Sequence, residues 1–492
     1  MMNWHSTQMG ALVLGIAALL AIPPCLIAFR RARAWGDWDL TSTLVFLTGV
    51  LNALPTVLFI VVSGRPERRD EFGNELPGRP DSLDAFGNQL PGGPLSDWAN
   101  QVGQVTSFLL IAGSLVFFLR GVLRGARINV APLIAFVLVL ELALSNGLNG
   151  HQVFSGRQLA LLAVLMAASV ARPGRSAFLG AAAVGLLLTV LGGIQALVQS
   201  SSVFHACRFD KCGPFGALYT GVFVNENIYG QLLSLSVPFI WLSLRGRVRV
   251  VLACYVAFVT IATDARVAAL AALSSLVLLV LLHPRLPQSA DGARPATPEG
   301  SNRSGTPSTK AVALAALVTC LVAVGEFLLP YVAQSHDRLS QRPYAWHLAV
   351  QYLSESPIFG FGGAAWPNLH IQGQIPVAIA ISPHNQWLDV GYAGGLVGLV
   401  LFAALITYIL LRGGRANIVV ACCVLLPVLI NGALDRPWSF GFTDTQTFTL
   451  VAATLVPIVR GSRRWATDVE YETRPLIMPG AGRHSRWALP LR

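Results

Sequence analysis

The chain has 492 residues, 54% of them hydrophobic and only 12% charged, and its mean hydropathy is +0.59. Soluble domains carry about twice that charge, so a string of soluble domains is excluded; recurring apolar runs of about 20 residues predict an all-α fold, a polytopic transmembrane helical bundle. The net charge of +11 arises from 35 Lys and Arg against 24 Asp and Glu, and with no basic patch interleaved with aromatics on a water-soluble element, nucleic acid is excluded as a partner.

In chain order, about 12–13 spans emerge, and basic clusters at alternate ends orient them by the positive-inside rule. Residues 1–63 hold the N-terminal membrane spans, near 9–29 and 40–62. The first lacks a basic lead-in and is followed by Arg30, Arg31 and Arg33, so it reads as a span rather than a cleavable signal. An outer loop, 64–100, contains DEFGNELPGRP at 70–80, which recurs fourteen residues later as DAFGNQLPGGP at 84–94. Gly-Asn and Pro-Gly are turn formers, so two similar turn units are expected. Duplication in a tolerant loop explains them more simply than a ligand site.

The membrane bundle of 101–282 holds spans near 103–119, 128–146, 158–171, 176–198, 226–244, 250–264 and 267–282. Its basic turns carry Arg120, Arg124 and Arg127, then Arg172 and Arg175, then Arg245, Arg247 and Arg249. A linker, 283–310, is rich in Pro, Ser, Gly and Thr and reads as cytoplasmic and disordered. One span, 311–330, leads to a large outer loop, 331–383, expected to carry short surface helices. The C-terminal membrane spans, 384–460, run from His384 to Arg412, over 416–434, and to Arg460; the tail, 461–492, stays cytoplasmic. This alternation puts the N-terminus outside.

Five of the seven cysteines, Cys25, Cys254, Cys320, Cys422 and Cys423, lie in apolar runs and read as small hydrophobes. Cys207 and Cys212 share a polar loop, HACRFDKCGPFG, and close a short disulfide if that loop faces an oxidising compartment.

Three outer-face positions are candidates for chemistry. His384 opens a Gly-spaced apolar run in which Gly391, Gly394, Gly395 and Gly398 form a small-residue stripe for close helix packing. It is the candidate for proton transfer, against the alternative of a histidine that merely ends a helix. Arg266, at a junction between two spans, must face a water-filled cavity or an anion, unless it snorkels to headgroups. In the large outer loop are Arg338 and Arg342. Pro343 suits a first helical turn, and Trp346, Ala349, Val350 and Leu353 share a stripe, which predicts a helix lying along the membrane surface. Arg342 then sits at a helix N-terminus that favours anions, whereas Arg338 reads more simply as a solvated loop charge.

Arginine forks neutralise a pyrophosphate, and a neutral imidazole, with a model-compound pKa of ~6.5, takes a proton from an attacking hydroxyl. Transfer of a glycan from a lipid pyrophosphate needs those two parts. Asn225, Glu226 and Asn227 open the 226–244 span and are candidates for contact with sugar hydroxyls, with helix capping as the alternative. Glu141, costly in lipid, is expected to face the bundle. Asp389, five residues after His384, is poorly spaced to orient its ring, and Asp435-Arg436 reads as a local pair at a turn.

With these residues in place the sequence resembles the bacterial O-antigen ligase and polymerase superfamily. His384-Asn385, nine residues, Gly395, two residues and Gly398 resemble a ligase motif, and Arg266 with Leu270 resembles its Arg-x-x-x-Leu element. TDARVAAL, the run from Arg342 through WHLAVQYLSESPIFGFG, and FVNENIYGQLL are also similar to that superfamily, over roughly 220–435. The resemblance implies a multi-pass protein of the bacterial cytoplasmic (inner) membrane with its active site facing the periplasm. It implies a metal-independent, inverting transfer, with no cofactor, from an undecaprenyl-pyrophosphate-linked glycan donor to a glycolipid or glycan acceptor. His384 would be the base. Arg266 and Arg342, with Arg338 nearby, would hold the pyrophosphate, and Asn225, Asn227 and Asn385 would be sugar contacts. A polymerase joining lipid-linked repeat units shares most of these motifs. A lipid-linked sugar transporter would need no base and would be expected to repeat its bundle. A metal-dependent transferase would use acids such as Asp70, Glu71, Asp81 or Asp84.

Overall fold

The computed structural model describes residues 4–63, 94–207, 211–284, 307–332, 341–376 and 379–456. The tandem repeat up to residue 93 with its acids, most of the 283–310 linker, Arg338 and the C-terminal tail lie outside them.

The described chain is almost wholly helical. In order come α1 (Trp4–Ala34), α2 (Leu40–Ser63), α3 (Pro94–Leu123), α4 (Val130–Leu148), α5 (Gly156–Ser169), α6 (Arg175–Val198) and the single turn α7 (Ser200–Val203). Two short strands, β1 (Phe204–His205) and β2 (Leu218–Tyr219), pair antiparallel. Then follow α8 (Glu226–Ser243), α9 (Arg247–Ala262), α10 (Arg266–Leu282), α11 (Thr309–Val332), α12 (Arg342–Glu355), α13 (Ala365–Ile371), α14 (Gln386–Leu411), α15 (Arg415–Gly432) and α16 (Thr447–Thr454). Cys207 and Cys212 are joined as a disulfide beside the β-ribbon.

Seven of these helices, α1, α2, α3, α4, α6, α11 and α14, are long and apolar enough to cross a membrane, and α5, α10 and most of α15 are shorter apolar helices. The other expected spans fall on helices shorter or less apolar than these seven. The reason is burial. Nearly every residue of α8 is covered by neighbouring helices, so α8 can carry Gln231, Ser234 and Ser236 and need not be uniformly apolar. The span expected to reach Arg460 appears as the eight-residue α16, preceded by an irregular segment over 433–446. Irregular backbone beside a span is tolerated where protein or a cavity satisfies its polar groups.

The basic turns gather at one end of the bundle. Arg31, Arg175 and Arg245 line one cavity. Gly174 donates to the Leu455 carbonyl (2.9 Å), and Arg412 donates to the Thr454 carbonyl (3.2 Å) and to Asn129 at the foot of α4 (2.9 Å). The alternation read from the sequence is thus a shared spatial end.

Toward the opposite end α14 is broken. Gly395 has φ 57° and ψ −150°, a conformation that only glycine adopts readily, and a Cβ there would strike the Ile358 carbonyl. The segment 357–362 fills the break. Phe361 and Gly362 donate to the carbonyls of Tyr392 and Ala393 (2.9 and 2.8 Å), and Leu396 and Val397 donate to those of Pro357 and Ile358 (2.8 and 3.1 Å). The end of α4 clamps the same segment: Asn149 donates to Gly360 O (3.1 Å), Ala364 N–H to Asn146 (3.1 Å), and Ser145 bonds Phe359 O. The glycine stripe has a second use, since Gly394 and Gly398 leave room for the buried Glu141 of α4.

The stripe read along α12 from Trp346 to Ala349 faces protein. Trp346 and Ala345 are fully buried in a small core with Trp366 of α13 and Leu388 and Tyr392 of α14. Aromatic side chains bury large areas, so this packing fixes α12 as a cap over the first half of α14.

Candidate functional site

The mouth of α14 is built by three consecutive residues with different tasks. Asn385 is the N-cap: its Oδ1 accepts from Leu388 N–H (3.1 Å), and its Nδ2 donates to the carbonyls of Glu326 (3.1 Å) and Ala433 (3.3 Å). Gln386 pairs with the backbone of Trp438, accepting at 2.9 Å and donating at 3.0 Å. These two side chains pin both ends of the 433–438 turn to α14. His384, held at φ 53°, has its N–H on Ser382 Oγ (3.2 Å), and its carbonyl accepts from Trp346 Nε1 (3.4 Å).

The pinned turn carries Asp435 over His384, with His384 Nδ1 3.3 Å from Asp435 Oδ1. A carboxylate only accepts, so Nδ1 carries the proton and the Nε2 lone pair of the neutral ring is left available. Burial alone would raise the Asp435 carboxyl. The hydrogen bond and charge of His384, the charge of Arg342 and the Arg436 N–H (2.9 Å) outweigh it and hold the group at about 2. The neighbouring Arg436 pairs with Asp389 at 3.6 Å and lies over the Phe442 ring at 5.2 Å.

Arg342 starts α12 next to this pair. Its Nε is buried and, among the described residues, has no hydrogen-bond partner, so one donor of its guanidinium is unspent. Arg266 begins α10, is 70% exposed, and reaches Asp264 at 4.0 Å. α10 packs along α15, the helix that leads to Asp435.

The structure therefore joins His384 and Arg342, and Arg266 stands at the first turn of a helix packed on the same support. Arg338 lies outside the described residues. The asparagines differ from expectation. Asn385 is fully buried and its amide is committed to backbone, so it is scaffold in place of a sugar contact. Asn225 caps α8 by accepting from Asn227 N–H (2.7 Å), and Asn227 Oδ1 accepts from the buried Lys211 (2.7 Å), which also pairs with Glu226 (3.0 Å). Their side-chain oxygens are occupied by the protein itself. Asp389 does not orient the His384 ring, in line with its spacing.

Sequence reasoning missed Asp435 as the partner of His384 and Glu326 as a neighbour. Glu326 is a buried carboxyl of α11 facing Gly432, with its main chain bonded to Asn385. The available signal was the density of charge at one boundary: Asp389, Asp435 and Arg436 all fall beside outer ends of spans.

Among known proteins, no curated sequence and no solved structure matches this chain. A family model described as O-antigen ligase matches residues 239–403, which include Arg266, Arg342, His384 and the α14 break. Over that stretch the chain is similar to the O-antigen ligase family.

Proposed function

We propose that this chain transfers a glycan from an undecaprenyl-pyrophosphate-linked donor to an acceptor hydroxyl at the periplasmic face of the bacterial inner membrane, by a metal-independent, inverting displacement. The observation that carries the reading is the His384–Asp435 pair with the unspent Nε of Arg342 beside it. His384 Nε2 takes the proton of the acceptor hydroxyl as its oxygen bonds the anomeric carbon. The bond from that carbon to the pyrophosphate breaks, and its electron pair leaves with the phosphate oxygen. Asp435 keeps the ring in the productive tautomer and stabilises the imidazolium. Arg342 and Arg266 balance the leaving charge. The pyrophosphate is already a good leaving group, so positioning and charge suffice without a covalent intermediate.

The test is transfer of a labelled lipid-linked glycan by the purified protein in excess chelator. Product formed in chelator supports the reading; none with or without metal ions points to a transporter, and product only with metal ions points to a metal enzyme. A single transferred glycan identifies a ligase, and a ladder of repeats a polymerase. Arg342→Lys should lose much of the activity, because a point charge lacks the planar fork; full activity in Arg342→Ala would remove Arg342 from the mechanism.

A further inference from the structure

At the basic end, far along the helices from His384, a cavity of about 190 Å³ opens between the end of α1, the start of α6 and the α8–α9 turn. Three arginines, Arg31, Arg175 and Arg245, line it against one carboxylate, Asp37. The site is built rather than incidental. α1 ends in a Schellman pattern, Gly36 N–H to Arg33 O (3.1 Å) and Asp37 N–H to Ala32 O (2.9 Å), which turns Asp37 back into the cavity. There Asp37 anchors Arg245 at 3.1 Å and Arg175 at 3.6 Å. Arg175 is otherwise committed to the Ser243 carbonyl (2.9 and 2.6 Å). Arg245 stacks on Trp35, its guanidinium carbon 4.4 Å from the ring centroid. The Arg31 side chain, among the described residues, has no hydrogen bond or ion pair.

Three cations against one anion leave an excess of two positive charges around a half-open cavity. Its remaining wall is apolar, with Ile27, Ala28, Leu244 and Val248, and the half-exposed Trp35 stands at the rim, as aromatics do at a membrane interface. A free soluble anion would need only the charges. A cationic cup continuous with an apolar wall between membrane helices suits a phosphate joined to acyl chains.

We propose that this cavity binds the phosphate headgroup of an anionic phospholipid in the leaflet at the basic end, the cytoplasmic leaflet by the positive-inside rule. Arg31 and Arg245 hold the phosphate, Asp37 holds Arg245 in place, and the first acyl carbons lie on the apolar wall. The proposal is independent of the transferase reading.

Thermal unfolding of the full-length protein in neutral detergent tests it, titrated with short-chain phosphatidylglycerol, phosphatidylcholine of the same chain length, or inorganic phosphate. Phosphatidylglycerol should raise the midpoint saturably, with phosphatidylcholine and inorganic phosphate giving little. Arg31→Ala, which removes no side-chain hydrogen bond or ion pair among the described residues, should leave the lipid-free midpoint nearly unchanged and raise the half-saturating phosphatidylglycerol concentration roughly tenfold, the loss of one charge-assisted bond. Arg31→Lys should recover part of it. An equal rise with phosphatidylcholine, an equal rise with inorganic phosphate, or an unchanged titration in Arg31→Ala would overturn the proposal.

Discussion

Asp435 gives His384, a polar residue at a helix mouth, a carboxylate partner that orients its ring, and the two side chains come from positions 51 residues apart. This is why the histidine was legible in the sequence and its partner was not. A polar dipeptide heading a glycine-spaced apolar run announces itself locally. Asp435 beside Arg436 looks like a self-contained turn until Asn385 and Gln386 are seen pinning that turn to α14. Asp435→Asn separates the roles. The amide can donate to Nδ1 and stabilise the tautomer with its proton on Nε2, which cannot accept one. Turnover in the transfer assay should fall by on the order of 10²-fold or more. Because the carboxyl is held below its ordinary value, its contribution to stability is complete above pH ~4 and is lost as pH falls toward about 2. Between those values the wild-type unfolding midpoint should drop further than that of Asp435→Asn. Parallel acid curves would mean the pair adds nothing to the fold.

At the scale of elements, α14 was legible as a span but its break was not. The stripe Gly391, Gly394, Gly395 and Gly398 reads as a packing face, and for Gly394 and Gly398 it is one. Gly395 instead permits a backbone conformation closed to other residues, and its freed polar groups are met by a segment more than thirty positions upstream in the chain. Local pattern cannot reveal a partner at that separation. The same docking holds the cap that delivers Arg342, so the break and the site are one construction. Gly395→Ala should destabilise the protein by about 3 kcal/mol or more, through the disallowed conformation and the clash with the Ile358 carbonyl. A Gly398→Ala control, where a Cβ meets only contacts of 3.2 Å and longer, should cost clearly less. Equal unfolding midpoints for the two variants would contradict the insertion.

For the whole molecule, the alternation of arginine clusters predicted two ends, and the structure assembles them: basic turns around Arg31, Arg175, Arg245 and Arg412 at one, His384, Asp435 and Arg342 at the other. Composition made the helical bundle legible. It did not separate full crossings from short helices sheltered by neighbours, because burial against protein and burial in lipid select the same residues. Single cysteines introduced at exposed positions of 64–100 or 331–383 should react with an impermeant thiol reagent applied from outside, and those at 285–305 should not; labelling of the latter from outside would invert the arrangement. The proposed transfer depends on His384 as its base. The most direct measurement is single-turnover transfer from a labelled lipid-linked donor by His384→Gln beside the wild type, with donor binding followed in parallel. Glutamine keeps a polar side chain at the helix mouth but cannot take up a proton at neutral pH, so donor binding should persist while transfer slows by on the order of 10²–10⁴-fold. Wild-type turnover in His384→Gln would show that the histidine only ends a helix and would contradict the account.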